Sequence, residues 1–415
     1  MAHVMNGHDV FLTGAAGTGK SHVLRQIIKH AQNVHSHSSG AVAVVAPSGI
    51  AASQINGSTI HSYFRIPLEL KRSPTSNSVW QSLVLLIIDE ISMVHPKLFA
   101  YLNKQAQLSR GDETPFGGVQ LVLCGDFFQL PPVERKQQSD SEDTEQFVFQ
   151  TDLWRQMQIK TVVLETVYRQ TQDQEFLKCL HDLRTGEISM QTQRFMNTLK
   201  NNINPNTVMT QLCTHRHQVD NINRQHLQRL PGEARAFENH VQLHDSPHRS
   251  MSSKQKHAIF KSILLDQQII LKKKLRVMVV FNLKIPHANI RLVNGTLGTV
   301  VGFEKKTGYH FPIVQFARVT MVIRPISWII THAHRKIKLL CLPLVPAFGL
   351  TIHKCQGCSL DDHVVIDISK VFAPHMIYVA LSRVTDKKFI HLRGWKDNQM
   401  IKIHPAVRQF YRSLA

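Results

Sequence analysis

The sequence predicts an α/β protein built on a parallel sheet, of a length for two or three domains, with a small β-rich insertion in its second half. Three observations predict it. Strand-like and helix-like segments alternate through the first half, as a parallel sheet with crossover helices requires. A glycine-rich loop sits between one such strand and the helix that follows it. Near residue 271 the alternation gives way to consecutive β-patterned pieces, and it resumes near Leu342. A chain of 415 residues, at about 150 per domain, accommodates this division and can bury a sizeable core.

Taken in order, Val10–Thr13 is a short apolar strand and Ser21–His30 has helical spacing. Ala41–Ala46, Leu83–Ile88 and Val119–Cys124 are buried strands by their Val, Leu and Ile content. Each ends in a polar cluster, and in parallel sheets ligands gather at those ends. Ser139–Glu145 (SDSEDTE) reads as an acidic surface loop. Within 271–342, Lys272–Lys274 precede Val277–Phe281, and the turn Asn294-Gly295 separates strand-like pieces. Gly298–Phe303 and Pro312–Val322 continue the pattern.

Gly14-Ala15-Ala16-Gly17-Thr18-Gly19-Lys20-Ser21 matches G-x-x-x-x-G-K-[ST] in the strand-to-helix context that motif needs. Its glycines let backbone N–H groups face phosphates, and the helix start adds positive potential. Lys20 is placed for the β- and γ-phosphates of ATP, and Ser21 for Mg²⁺. Leu85–Ile88 runs into Asp89-Glu90. Asp89 suits the Mg²⁺ shell, and Glu90 can orient or deprotonate the attacking water. Another strand leads into Gly125-Asp126-Phe127-Phe128-Gln129, where Gln129 can sense the γ-phosphate. An acidic strand end alone is usually just solvated; beside a phosphate loop it acquires this second meaning.

Lys plus Arg total 49 against 29 acids, a formal net charge of +20. That suits a polyanionic partner, since neutralised phosphates release counterions, although solvated surface charge accounts for it equally well. No apolar run approaches the roughly 18 residues of a membrane span, and no signal or transit peptide is evident. A nuclear or cytosolic chain is expected, with a mitochondrial one left open. Six cysteines are too few for a disulfide scaffold. Cys355 and Cys358 form a lone C-x-x-C without a second half, and the 25 histidines are scattered, so no metal site beyond Mg²⁺ is expected.

SGIAASQINGSTIHS (48–62), LIIDEISM (86–93), PFGGVQLVLCGDFFQLPPV (115–133), LETVYRQ (164–170), RLVNGTLGTVV (291–301), FGLTIHKCQG (348–357) and YVALSRV (378–384) follow one another along the chain. In content and order they resemble the motifs of the petite-integration-frequency (PIF-type) DNA helicases, in the 5′-to-3′ branch of helicase superfamily 1. The resemblance spans nearly the whole chain and implies two RecA-like P-loop domains, 1–150 and 151–415. It also implies a wedge-like excursion near 63–81 and a small β-barrel insertion at 271–342. Arg169 and Arg383 resemble the family's arginine fingers, both assigned to the second domain, which stabilise charge on the transferring phosphoryl. Gly357 joins the nucleotide-binding set.

Single-stranded and forked DNA are the implied partners of a monomer, in replication, repair, recombination or telomere maintenance. The implied contacts are Ser48, His61 and Ser62 on the first domain and His215, Thr351, His353 and Lys354 on the second. Phe128 and Pro131 face either bases or the core. Where the family commonly has Gly this chain has His375, and where it commonly has Asp this chain has His95. Relatives carry a Gln-bearing helix upstream of the phosphate loop; nine residues precede Val10 here. Two other readings stay open: a DNA-binding protein without turnover, and an RNA-directed helicase of the same superfamily.

Overall fold

The computed structural model describes the chain except residues 39, 68–69, 71–72, 133–145, 170–172, 201–208, 245–249, 263–264, 282, 285–290, 293–294, 307, 318, 333–334, 354, 357, 374, 397–400 and 415. The acidic stretch Ser139–Glu145, Asn294 of the predicted turn, and Lys354 and Gly357 of the predicted site therefore lie outside the described residues. Two units emerge. One comprises Met1–Thr171, Arg184–Gly186 and Lys402–Ala415; the other Gln172–Leu183 and Glu187–Ile401.

The first unit is organised by six parallel strands: β1 Val10–Gly14, β2 Val42–Ala46, β3 Ser58–Thr59, β4 Leu85–Ile88, β5 Gln120–Cys124 and β6 Lys160–Leu164. Their order across the sheet is β3-β2-β4-β5-β1-β6. β1 is central to the chemistry, hydrogen-bonded to β5 (Leu12 opposite Cys124) and to β6 (Gly14 opposite Leu164). Val10, Leu12, Val44, Leu85, Ile87 and Val122 pack with Leu24, Ile27 and Ile28 of the helix Lys20–Val34. Phe11, on the alternate face of β1, meets an aromatic cluster of Phe127, Trp154 and Phe410. Period-2 alternation along β1 thus feeds two cores at once.

The domain boundary expected at 150 falls later, because β6 completes the first sheet and the first unit runs to Thr171. The C-terminal stretch also departs from expectation. The helix Pro405–Arg412 belongs to the first unit, where Phe410 stacks on Phe149 with ring centroids 4.3 Å apart. The ends of the expected excursion at 63–81 are anchored rather than projecting. Phe64 and Trp80 are fully buried and stack at 4.3 Å, and Trp80 Nε1 donates to Gln105 Oε1 at 3.0 Å.

The second unit has its own parallel sheet, with Gly349–Thr351, Thr210–Cys213, Val364–Asp367 and Ile390–Arg393 in that order. Antiparallel strands interrupt it. Five of them, between Arg276 and Pro346, form one sheet, with the long hairpin Leu297–Lys306/Tyr309–Phe316 at its heart. The β-rich region starts earlier than the predicted 271. Arg235–Glu238 already pairs with Gln268–Leu271, and His240–Leu243 with Arg335–Cys341. Ile269, Leu271, Val277, Val300, Val314 and Phe348 share one apolar core, so the flanking strands and the insertion are buried together.

The aromatic cluster predicts that Phe410→Ala, which removes a half-buried ring, destabilises the first unit by about 2 kcal/mol. Urea unfolding of the full chain checks this. Unchanged stability would show that the last helix merely rests on the surface.

Candidate nucleotide and nucleic-acid site

Because all six strands of the first sheet are parallel, their C-terminal ends share one edge. Along that edge come His61 and Ser62 after β3, Ser48 after β2, Asp89 and Glu90 after β4, Gln129 after β5, Gly14–Ser21 after β1, and Arg169 after β6. With strands about 4.8 Å apart, the β4 end lies roughly 10 Å from β1 and the β3 end roughly 19 Å. The nucleotide candidates therefore fill one half of the edge and the DNA candidates of this unit the other.

The phosphate loop is built by constraint. Gly14 has φ 148°, and a Cβ there would lie 2.4 Å from Leu164 O and 2.9 Å from Thr18 Oγ1. Gly19, at φ 86°, caps the helix Lys20–Val34 in the left-handed region that a side chain resists. Lys20 Nζ donates to Gly14 O at 2.7 Å and Ala15 O at 2.9 Å, and Thr18 Oγ1 donates to Ala15 O at 2.9 Å. Ala16 and Thr18 are buried, while Ser21 is exposed in the first helical turn. Burial pushes the Lys20 ammonium below its ordinary pKa, against the opposing pull of Asp126.

Asp89 is buried, and its Oδ1 accepts the Glu90 N–H at 2.9 Å. Burial, with the adjacent Glu90 carboxylate, pushes its pKa up to about 7. Glu90 takes φ 52°, a left-handed backbone for a non-glycine residue, which turns the chain sharply off β4 and costs about 1 kcal/mol or more. Gln129 is 4% exposed, and its Oε1 has no hydrogen-bond partner among the described residues. Such a buried acceptor is costly unless a further donor completes it.

These features fit a magnesium–nucleotide complex: a glycine cradle closed to side chains, a cation at its mouth, a buried carboxylate beside a second acid, and an orphaned amide oxygen. Ser21 and Asp89 carry oxygen donors that could hold the ion.

One of the two arginines is placed differently from expectation. Arg169 belongs to the first unit, not the second. The segment leaving β6 is stitched to the loop, since Tyr168 N donates to Gly17 O at 2.8 Å. Arg383 is on the second unit and 3% exposed. Its Nε donates to Val379 O at 3.1 Å and its Nη2 to Ser382 Oγ at 2.9 Å. A finger role for Arg383 requires those bonds to be exchanged.

Phe128 and Pro131 are buried, which decides between the core and the bases. The Phe128 ring stacks on Tyr411 at 4.7 Å, with the Arg184 guanidinium 4.4 Å from its centroid. Neither Phe128 nor Pro131 offers a face to DNA. Ser48 Oγ accepts from Ala51 N at 3.2 Å, and Ser62 Oγ accepts from Thr59 Oγ1 at 2.8 Å. Ser48, His61 and Ser62 are all half-buried.

On the second unit, the adjacent parallel strands Thr210–Cys213 and Gly349–Thr351 bring His215, Thr351 and His353 to one edge. Sequence reasoning missed their neighbour. Phe372 is 56% exposed, with its ring 4.9 Å from His215 and 6.4 Å from His353. Its position just beyond the strand Val364–Asp367 was the available signal. Burial lowers the His353 pKa, which favours a neutral imidazole. Of the lysine block, Lys272 donates to Leu230 O at 3.0 Å, whereas Lys273 and Lys274 are exposed.

The two departures from the family pattern have local explanations. His95 caps the helix Pro96–Arg110, its Nδ1 accepting the Lys97 N–H at 3.1 Å, the service an Asp performs at such a position. His375 has φ 64°, the backbone region glycine favours. Cys355 and Cys358 are buried, and no cluster of three metal-ligating side chains occurs among the described residues. No helix among those residues is long and apolar enough to cross a membrane.

The Asp89 carboxyl predicts a pH effect. Its pKa is higher folded than unfolded, so its ionisation costs stability as pH rises from about 4 to 7. Asp89→Asn is expected to raise Tm at pH 8, with the gain vanishing near pH 4. A gain independent of pH would exclude this origin.

Comparison with known proteins accords with the geometry. The model of the PIF1-like helicase family matches residues 1–194. The Xenopus laevis ATP-dependent DNA helicase PIF1 is 36% identical over 99% of this chain and 62% of its own length. The chain thus spans less than two thirds of that curated relative. The crystal structure of Pif1 helicase from Candida albicans is 30% identical, with a TM-score of 0.77 over 100% of this chain and 97% of that one. Pif1 helicase from Bacteroides in complex with ADP-AlF3 and ssDNA is 26% identical, with a TM-score of 0.68 over 99% of this chain and 96% of that one. On this sequence and structural similarity, the chain belongs to the PIF1-like helicase family.

Proposed function

We propose that this chain is an ATP-dependent DNA helicase that moves 5′-to-3′ along a single strand and opens duplex at a fork. One observation carries the reading: a single parallel-sheet edge presents the phosphate loop, the acidic pair and Gln129 on one half, and Ser48, His61 and Ser62 on the other. Nucleotide and strand would thus meet the same rigid element.

The roles follow from chemistry. Loop N–H groups from Gly14 to Ser21 receive the phosphates, and Lys20 exchanges its bonds to Gly14 and Ala15 for β- and γ-phosphate oxygens. Glu90 accepts a proton from the attacking water, and Gln129 orients that water or the γ-phosphate. Arg169, adjacent to the Tyr168 that is tied to the loop, supplies positive charge as the phosphoryl departs. Magnesium, held by Ser21 and Asp89, would neutralise phosphate charge and keep Asp89 ionised.

For the strand, hydroxyl and imidazole groups bind backbone without reading sequence. The exposed ring of Phe372 adds a face on which a base can stack. The net charge of +20 supplies long-range attraction. The chain would work as a monomer on genomic DNA, in replication, repair, recombination or telomere maintenance. The Bacteroides complex with ADP-AlF3 and ssDNA supports the pairing of these two ligands.

Unwinding of 5′-tailed and 3′-tailed DNA duplexes, with matched RNA-tailed substrates, tests the proposal. The expected outcome is ATP-dependent opening of the 5′-tailed DNA at least about ten-fold faster than the others. Equal opening of both tails would remove the direction. Preference for RNA tails would favour an RNA-directed enzyme, and binding without opening a protein that has lost turnover.

A further inference from the structure

We infer that Tyr411 and Arg184, both outside the nucleotide motifs, are positioning residues for ATP hydrolysis, holding the Asp126–Gln129 turn against the end of β1. The inference rests on the proposed role of Gln129 and names what keeps that side chain in place.

The physical problem lies where two adjacent strands diverge. β1 and β5 run side by side until Gly125 N donates to Leu12 O at 3.1 Å. Beyond that rung, β1 turns into the phosphate loop and β5 into the turn bearing Gln129. Their separation then needs another support. The phenol of Tyr411, on the last helix, provides it. Its oxygen lies 2.6 Å from Thr13 Oγ1, immediately before Gly14, and accepts the Phe127 N–H at 3.1 Å. It also donates to Asp126 Oδ1 at 3.3 Å. One hydroxyl thereby ties the root of the phosphate loop to the root of the Gln129 turn.

Asp126 is the second half of the clamp. It is fully buried, so burial alone would raise its pKa, yet Arg184 and Lys20 hold it below the ordinary carboxylate range. Arg184 Nη2 donates to Oδ1 at 3.0 Å and Nε to Oδ2 at 3.3 Å, a bidentate grip. Asp126 Oδ1 accepts the Phe128 N–H at 3.1 Å, and Asp126 O accepts the Gln129 N–H at 2.8 Å. The guanidinium lies 4.4 Å from the Phe128 ring centre and 5.0 Å from that of Tyr411. Ion pair, phenol and stacked rings fix the four-residue turn from three sides. A shift of about 1 Å in such a turn suffices to cost a large factor in rate.

The experiment is a double-mutant cycle in the full chain. DNA-stimulated ATP turnover is measured for Tyr411→Phe, Gln129→Ala and the pair, with nucleotide affinity read by a fluorescent ATP analogue. Tyr411→Phe keeps the ring and its stacking and loses only the hydroxyl. It should lower kcat about ten-fold with KM for ATP within about two-fold, and on the Gln129→Ala background it should add less than about two-fold. Arg184→Lys, which keeps the charge but not the bidentate grip, should behave likewise. Unchanged kcat in both variants, or losses that multiply fully with Gln129→Ala, would overturn the inference. Gln129→Ala with undiminished turnover would instead overturn the role of Gln129 itself, and the positioning role with it.

Discussion

The hydrogen-bond ladder that seats β1 between β5 and β6 is the constraint on which the rest of the first unit depends. Parallel register turns three loops from distant parts of the sequence into neighbours on one edge. A β1 strand facing the other way would carry the phosphate loop to the opposite edge from the ends of β5 and β6. The close approach of Gly14 to Leu164 shows how little slack the arrangement has. A methyl group there would push β6 away and carry the Tyr168–Gly17 contact with it.

Electrostatics in this edge are dominated by burial. The Lys20 ammonium and the Asp89 carboxylate are each disfavoured by being removed from water. Asp126 escapes that fate because Arg184 meets it with two bonds. The contrast is informative. The Asp126 carboxylate has its cation supplied by the protein, while that of Asp89, proposed to hold magnesium, is pushed up to about 7. A site that leaves one buried acid under-compensated is prepared for an external charge. The same logic applies to the Gln129 amide oxygen, buried without a partner among the described residues.

Local sequence revealed what local rules govern. G-x-x-x-x-G-K-S between an apolar strand and a helix, and acids after Leu85–Ile88, each follow from short-range chemistry. What it did not reveal depends on long-range return of the chain. β6 reads as any short strand, and only its pairing with β1 assigns Arg169 to the first unit. Tyr411 and Arg184 lie 285 and 58 positions from Asp126, so no local window around Asp126 could hold them. Phe128 reads equally well as stacking platform or core until its neighbours are known. In the sequence His375 is only a departure from glycine; its left-handed backbone supplies the reason. The β-rich region begins before 271 because Arg235–Glu238, too short to show a pattern of its own, pairs with a strand some thirty residues away.

In the proposed function, the shared edge couples nucleotide turnover to a bound strand. ATP hydrolysis by the full chain, with and without single-stranded DNA and beside Lys20→Ala, tests it most directly. Strong stimulation by DNA is expected, falling by at least about 100-fold in Lys20→Ala with DNA binding retained. Turnover indifferent to DNA, or surviving the loss of Lys20, would contradict it.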